Sequence, residues 1–325
     1  MIGIIGGGAW GTALAQVASA EGTREVRLWA REEEVVASIN DAHENTLFLP
    51  GVPLAPSIRA SDDLGWVAEA DPLLVVTPSQ HMRAVLAQLD ARPRHLILCA
   101  KGIEAGTMRL MHEVAHEACP TATLSVLSGP TFAHEVAKGL PTAITLACED
   151  ADTGARIAAL IARPAFRPYA ATDVVGAEIG GAVKNVLAIA CGVVEGRALG
   201  QNARAALISR GFAEMTRFGL ARGARAETLA GLSGLGDLVL TCSSTSSRNF
   251  SLGLGLGQGK AAVDLLADRR TVAEGAFTAP VLRAAAREAG VDMPITEAVC
   301  ALLEGRMAVD EVVDALLARP LRAEH

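Results

Sequence analysis

A doubly wound α/β sheet followed by an all-α C-terminal domain is the fold class that this sequence of 325 residues predicts. Three observations carry it. Short β-rich runs alternate with helical patterns through the first half. A glycine-rich turn, Gly6-Gly7-Gly8-Ala9-Trp10-Gly11, directly follows the first of those runs. From about Asp173 onward the strand pattern stops. Alternating strand and helix signals imply parallel strands joined by crossover helices, and an uninterrupted helical grammar implies helix-on-helix packing. The chain therefore divides into residues 1–173 and 174–325, with the change falling near residues 171–176.

In chain order, the candidate strands are 2–5, 25–29, 73–76, 96–99, 124–127, 143–147 and 166–169. The first is the run Ile2-Gly3-Ile4-Ile5. Helical patterns at 11–20, 32–40 and 108–118 fall between strands, where crossovers belong. The second half is rich in alanine, leucine and glycine, with breaks near 196–200, 231–236, 242–247 and 293–294. The biased stretch 253–259 reads as a loose helix end or loop, and there are no internal repeats.

Composition narrows the function classes. Half the residues are hydrophobic, enough for a real core. A net charge of −7 and a pI near 5.6 argue against nucleic-acid binding. Cys99, Cys119, Cys148, Cys191, Cys242 and Cys300 form no CxxC pair, which fits free thiols in a reducing compartment. The N-terminus lacks the basic residues of a signal peptide, and glycines interrupt its apolar part. The expectation is a soluble, cytoplasmic protein without membrane insertion.

The glycine turn matches GxGxxG after a strand and opening a helix, the context of a Rossmann-type dinucleotide site. Gly6 makes the tight turn, Gly8 lets backbone approach a pyrophosphate, and Gly11 lets helix pack on strand. The alternative is a glycine-rich turn with no ligand. After the second strand, Arg31 stands where an acid is usual in NAD-selective proteins, and a guanidinium can pair a 2′-phosphate. NADP(H) is therefore preferred on this reading. Glu32-Glu33-Glu34 keeps NAD(H) possible, or simply places favourable charge in the first turn of a helix.

Lys184 sits in Glu178-Ile179-Gly180-Gly181-Ala182-Val183-Lys184-Asn185, a helical pattern with two glycines at its centre. Interior helical glycine costs about 1 kcal/mol against alanine, so the pair needs a reason. Gly180, Gly181 and Lys184 share one face, which suggests a slot for a small ligand beside an ammonium group. A plain surface lysine would leave the glycines unaccounted for. His112-Glu113-Val114-Ala115-His116 matches HExxH, but it lies on a predicted crossover helix without the Gly-x-x-His continuation. Glu135 is the nearest third ligand, so these read as solvent-facing histidines and no metal is expected.

With these features placed, the chain resembles bacterial NAD(P)-dependent glycerol-3-phosphate dehydrogenases. The matching blocks are GGGAWGTALA from Gly6, AKG from Ala100, SGPTFA from Ser128 with Glu135 and Val136, and GGAVKNV from Gly180. NARAALI from Asn202, GLGDL from Gly234, Thr241-Cys242, Ser247-Arg248-Asn249, Glu274-Gly275 and Met293-Pro294-Ile295 continue the match. The resemblance implies reversible hydride transfer between NAD(P)H and dihydroxyacetone phosphate, giving sn-glycerol 3-phosphate for phospholipid synthesis.

It also implies residue roles. Lys184 matches the catalytic lysine, which would donate a proton to the carbonyl oxygen with a pKa lowered toward ~7–8. Lys101 would touch substrate and cofactor, and Asp237 would orient Lys184; read alone, Asp237 looks equally like a helix N-cap. Thr241, Gly129 and Thr131 match substrate-side positions. Ser247, Arg248 and Asn249 match the substrate phosphate site, with Arg248 also reaching the cofactor. Ala9, Trp10, Ala133, Val272 and Glu274 match cofactor positions, Ala9 standing where serine is common. Two alternatives stay open: a two-domain dehydrogenase acting on a hydroxy acid without phosphate, and a non-catalytic NADPH-binding regulator. The alanine-rich second half has enough apolar helix surface for a homodimer.

Overall fold

The computed structural model describes residues 1–20, 22–89, 94–267 and 273–318. Its strands are β1 (Ile2–Ile5), β2 (Val26–Trp29), β3 (Ile58–Ser61), β4 (Leu73–Val75), β5 (His95–Leu98), β6 (Thr123–Ser128), β7 (Thr142–Cys148) and β8 (Phe166–Ala171). Among them run α1 (Ala9–Ala18), α2 (Glu33–Ala42), α3 (Leu64–Ala68), α4 (Met82–Leu86), α5 (Met111–Ala118), α6 (Ala133–Ala137) and α7 (Ala151–Ile161). From Val174 the described residues hold only helices: α8 (Val174–Gly196), α9 (Gly200–Ala221), α10 (Ala226–Leu229), α11 (Asp237–Thr241) and α12 (Arg248–Gly257). They continue with α13 (Ala262–Leu265), α14 (Glu274–Glu288), α15 (Pro294–Leu303) and α16 (Val309–Leu317).

The sheet order is β3-β2-β1-β4-β5-β6-β7-β8. The chain steps outward from β1 to β3, then returns to β4 on the other side of β1. That reversal opens a crevice at the carboxyl ends of β1 and β4, where doubly wound sheets bind ligands. β1 to β6 are parallel, with Ile5 beside Trp29 on one side and Val75 on the other.

Two features differ from the all-parallel expectation. β7 pairs antiparallel with β6, and β8 runs parallel to β7. The connection after β6 is taken up by a loop and the five-residue α6, so the chain re-enters the sheet from the end it had just left. β3 was not expected at all. Pro168, which has no N–H, is tolerated because β8 is the outermost strand.

One apolar cluster lies on each sheet face. Ile4, Leu14, Leu28 and Ile144 belong to one, and Ile5, Leu73, Leu98, Met111 and Val126 to the other. A third fills the helical half around α8, with Val183, Leu187, Met215, Phe218, Phe250 and Leu282. α8 has the length and hydropathy of a membrane span, yet 94% of its most apolar window is buried inside the fold. It is the central core helix, which explains why it is apolar on all sides.

The stretch from Gly253 is not a loose end. It lies in α12, which crosses α8 backbone against backbone. A Cβ on Gly192 would lie 2.1 Å from Phe250 O, and one on Gly253 would lie 1.9 Å from Ile189 O. Gly196 and Gly257 repeat the contact one turn on. The glycines are there because no side chain fits between the two helices.

Candidate active site

Each dinucleotide-loop glycine has a measurable reason. Gly6 has φ +129°, a conformation L side chains rarely adopt, and a Cβ on Gly11 would sit 1.8 Å from Gly6 O. Gly8, the N-cap of α1, is exposed, and a Cβ there would meet nothing within 4 Å. That is open space at the positive end of a ten-residue helix, which fits a pyrophosphate. Beside it the Trp10 indole Nε1 is buried with no hydrogen-bond partner, while Ala9 begins α1. Arg31 lies just past β2, highly exposed, its guanidinium 2.9 Å from Glu32.

The loop after β5 sends Lys101 across to the helical half. Its Nζ donates to Asp237 Oδ2 at 2.7 Å and to Gly129 O at 3.2 Å. Lys184 Nζ donates to Asp237 Oδ1 at 2.5 Å and to Thr241 Oγ1 at 2.9 Å. Thr241 in turn donates to Asp237 Oδ1 at 3.3 Å. One carboxylate, fully buried, thus holds two ammonium groups from two halves of the chain. Asp237 does not cap its helix, for Gly236 occupies that position. A π-helical turn, Leu232–Gly236, leads into α11 and aims Asp237 at the lysines.

Burial lowers the Lys184 pKa to about 8, with Asp237 opposing the fall and Lys101 adding to it. An ammonium on this side chain therefore gives up its proton near neutral pH. The second carboxylate of the cleft, half-buried Glu274 at the start of α14, has its pKa raised by burial against the pull of Arg248, Lys101 and Lys184. Three cations facing two carboxylates leave the cleft positive, which favours an anionic ligand.

The predicted ligand slot beside Gly180 and Gly181 is occupied by protein. A Cβ on Gly180 would lie 2.3 Å from Ser233 O in the π turn, and one on Gly181 would lie 2.9 Å from Ser128 Oγ and 3.2 Å from the Lys101 stem. The glycines admit those neighbours, so it is Lys101 rather than a ligand that reaches Lys184 through the gap.

Ser247 caps α12, accepting from Phe250 N at 3.2 Å, and Arg248 follows as an exposed first-turn residue. Asn249 is buried: its amide donates to Asn185 Oδ1 at 3.0 Å and its Oδ1 accepts from Gly275 N at 2.9 Å. Thr131 donates to Gly129 O at 3.2 Å on the loop after β6, and Ala133 opens α6. Val272 lies outside the described residues.

A family model described as NAD-dependent glycerol-3-phosphate dehydrogenase N-terminus matches residues 1–154, and its C-terminal counterpart matches residues 173–314. The chain belongs to the NAD-dependent glycerol-3-phosphate dehydrogenase family. Glycerol-3-phosphate dehydrogenase [NAD(P)+] of Erythrobacter litoralis is 64% identical over 324 residues, covering 100% of this chain and 98% of that protein. The protein of that name from Novosphingobium aromaticivorans is 64% identical over 325 residues, covering 100% and 98%. The crystal structure of glycerol-3-phosphate dehydrogenase from Coxiella burnetii superposes with a TM-score of 0.92 at 38% identity, covering 98% of each chain. This chain is accordingly an NAD(P)-dependent oxidoreductase with a Rossmann-type sheet and a helical C-terminal part.

Sequence reasoning missed two partners in this family member. Asn185 fixes the Asn249 amide, and its adjacency to Lys184 was the available signal. His112, expected to face solvent, is half-buried with its Nδ1 2.7 Å from Glu178 Oε2, while its backbone N–H donates to Oε1 at 2.8 Å. Glu178 is a buried α8 carboxylate whose pKa burial raises, and a histidine from α5 is what answers it. The HExxH pattern thus spans a tie between sheet and helical bundle. Glu113 accepts from Leu110 N at 2.7 Å, and no group of three or more metal-ligating side chains occurs among the described residues.

Proposed function

We infer that the cleft between sheet and helices reduces dihydroxyacetone phosphate reversibly to sn-glycerol 3-phosphate, supplying glycerophospholipid synthesis, with Lys184 as general acid. The observation that carries this is the Lys101–Asp237–Lys184 bridge. Asp237 holds the Lys184 ammonium in one orientation, burial prepares it to release a proton, and Lys101 keeps it from pairing wholly with the carboxylate. The nicotinamide cofactor, when bound, supplies the hydride. As the carbonyl oxygen gains negative charge, Lys184 is placed to donate, with Thr241 fixing its remaining freedom.

The substrate phosphate belongs at the start of α12. There Ser247, Arg248 and Asn249 combine a hydroxyl, an exposed guanidinium and an amide with the positive end of a helix. Gly129 and Thr131 border the same substrate. On the cofactor side are Gly6, Gly8, Ala9, Trp10 and Gly11, with Lys101, Ala133, Arg248 and Glu274. Arg31 favours NADP(H) through its exposed guanidinium, NAD(H) remaining usable. Residues 1–173 form the dinucleotide domain and 174–325 the substrate domain of a cytoplasmic homodimer.

The test follows loss of NADPH absorbance with dihydroxyacetone phosphate beside unphosphorylated dihydroxyacetone. Turnover of the phosphate alone supports the reading. Equal turnover of both refutes the anion site at Arg248, and tight NADPH binding without turnover returns the regulator alternative.

A further inference from the structure

We propose that Asn45 is a positioning residue for cofactor binding: its side-chain amide fixes the Gly7–Gly8 peptide so that the Gly8 N–H faces the pyrophosphate site. This rests on the cofactor reading above. Asn45 lies outside the glycine motif, in the turn after α2, and is fully buried. Its Nδ2 donates to Gly7 O at 2.8 Å and to Thr12 Oγ1 at 2.7 Å, while its Oδ1 accepts from Phe48 N at 3.0 Å. Both faces of the amide are thus engaged, and it cannot turn without losing bonds on each side.

The consequence follows from peptide geometry. The Gly7–Gly8 bond is trans, so its C=O and N–H point in opposite directions. With the carbonyl drawn inward by Asn45, the N–H must point outward, toward the exposed and empty side of Gly8. Nothing in the two residues' own stereochemistry enforces this. A Gly-Gly peptide has the widest conformational choice of any, and a flipped plane would turn a carbonyl toward an incoming anion. The lock must come from elsewhere in the fold. The loop that supplies it is itself anchored, by Leu49 N donating to Asn45 O at 2.9 Å and by burial of Leu49, Val52 and Leu54.

The test uses the full-length protein. Asn45→Asp keeps the size of the side chain and the acceptor for Phe48 but removes both donors. Its dissociation constant for NADPH, read by nicotinamide fluorescence, should rise about tenfold, the scale of a buried hydrogen bond or two. Its KM for dihydroxyacetone phosphate and its kcat at saturating NADPH should stay within about twofold. Thr12→Val should shift NADPH affinity the same way by less, and Thr12→Ser should restore it. Ile161→Val, in the core beyond α1, should lower the melting temperature without moving NADPH affinity. Unchanged NADPH binding by Asn45→Asp overturns the proposal. So does a loss spread equally over kcat and both KM values that follows melting temperature as Ile161→Val does. Should Asn45→Asp not fold, Thr12→Val decides by the same criteria. Failure of the unmodified protein to bind NADPH overturns the cofactor reading, and this proposal with it.

Discussion

Replacing Asp237 with asparagine separates charge from shape at the lysine bridge. The carboxylate is fully buried and 2.5 Å from Lys184 Nζ, and it is the main influence holding the lysine's pKa up against burial. At an effective dielectric of ~20, unit charges ~4 Å apart interact by about 4 kcal/mol. A third of that is about one pKa unit. In the variant Lys101 also remains as an uncompensated neighbour, which pushes in the same direction. The Lys184 pKa should therefore fall from about 8 to ~7 or below. At pH ~8 roughly half of the native lysine is protonated, against roughly a tenth of the variant; at pH ~6 both are almost fully protonated. The assay is kcat for carbonyl reduction between pH ~6 and ~9 at saturating substrates. Asp237→Asn should lose activity by a factor that grows about fivefold from pH ~6 to ~8 and about eightfold by pH ~9, with its alkaline limb displaced downward. A ratio independent of pH, or a limb left at about 8, would refute the argument that Asp237 sets the charge state of Lys184.

Other outcomes follow from the same geometry. Lys184→Ala should lower kcat by at least ~10²-fold with folding retained, measured by turnover beside circular dichroism. Gly8→Ala should raise the KM for NADPH and leave the melting temperature nearly unchanged, because its Cβ meets nothing within 4 Å. Gly253→Ala should instead destabilise by about 3 kcal/mol in urea unfolding, because its Cβ would land on Ile189 O. Arg31→Ala should weaken NADPH and spare NADH, read as the ratio of the two kcat/KM values. Glu214, buried beneath the N-terminus of α15, has its pKa raised from 4.5 to about 7 by burial. A raised carboxyl pKa stabilises most below pH ~4.5 and loses that contribution as pH rises through ~7. Glu214→Gln should therefore flatten the decline of melting temperature over that window, and an unchanged slope would refute the assignment.

What the sequence revealed was local. Gly6 and Gly11 were legible because they lie within one turn of each other, where a Cβ on Gly11 would meet Gly6 O. β3 was not, because it is four residues of mixed character on a sheet edge. The Asn40 side chain completes it there, donating to Ala60 O and accepting from Ala60 N, both at 2.9 Å. Lys184 and Lys101 each stood out by their glycine neighbours. Their common partner was reached only through the family resemblance and not from spacing, since Asp237 lies 53 and 136 residues from them and pairs only after the helices pack. The pair Gly180-Gly181 was recognised as a close approach and assigned the wrong visitor. A bare helix face signals that something comes near, and periodicity cannot distinguish a ligand from the stem of another lysine.

The glycine seam between α8 and α12 acts as a fixed calliper. One jaw is Lys184 and the other is the Ser247–Asn249 turn, and the hinge between them is backbone resting on backbone, with no side chain to yield. Most binding sites adjust to a longer ligand by letting side chains swing. On the roles proposed for Lys184 and Arg248, the backbone positions from which proton donor and phosphate anchor reach out are set by that seam, and they move apart only if the two helices separate. On those proposed roles, a ketone phosphate longer by one methylene should be turned over with a lower kcat/KM than dihydroxyacetone phosphate.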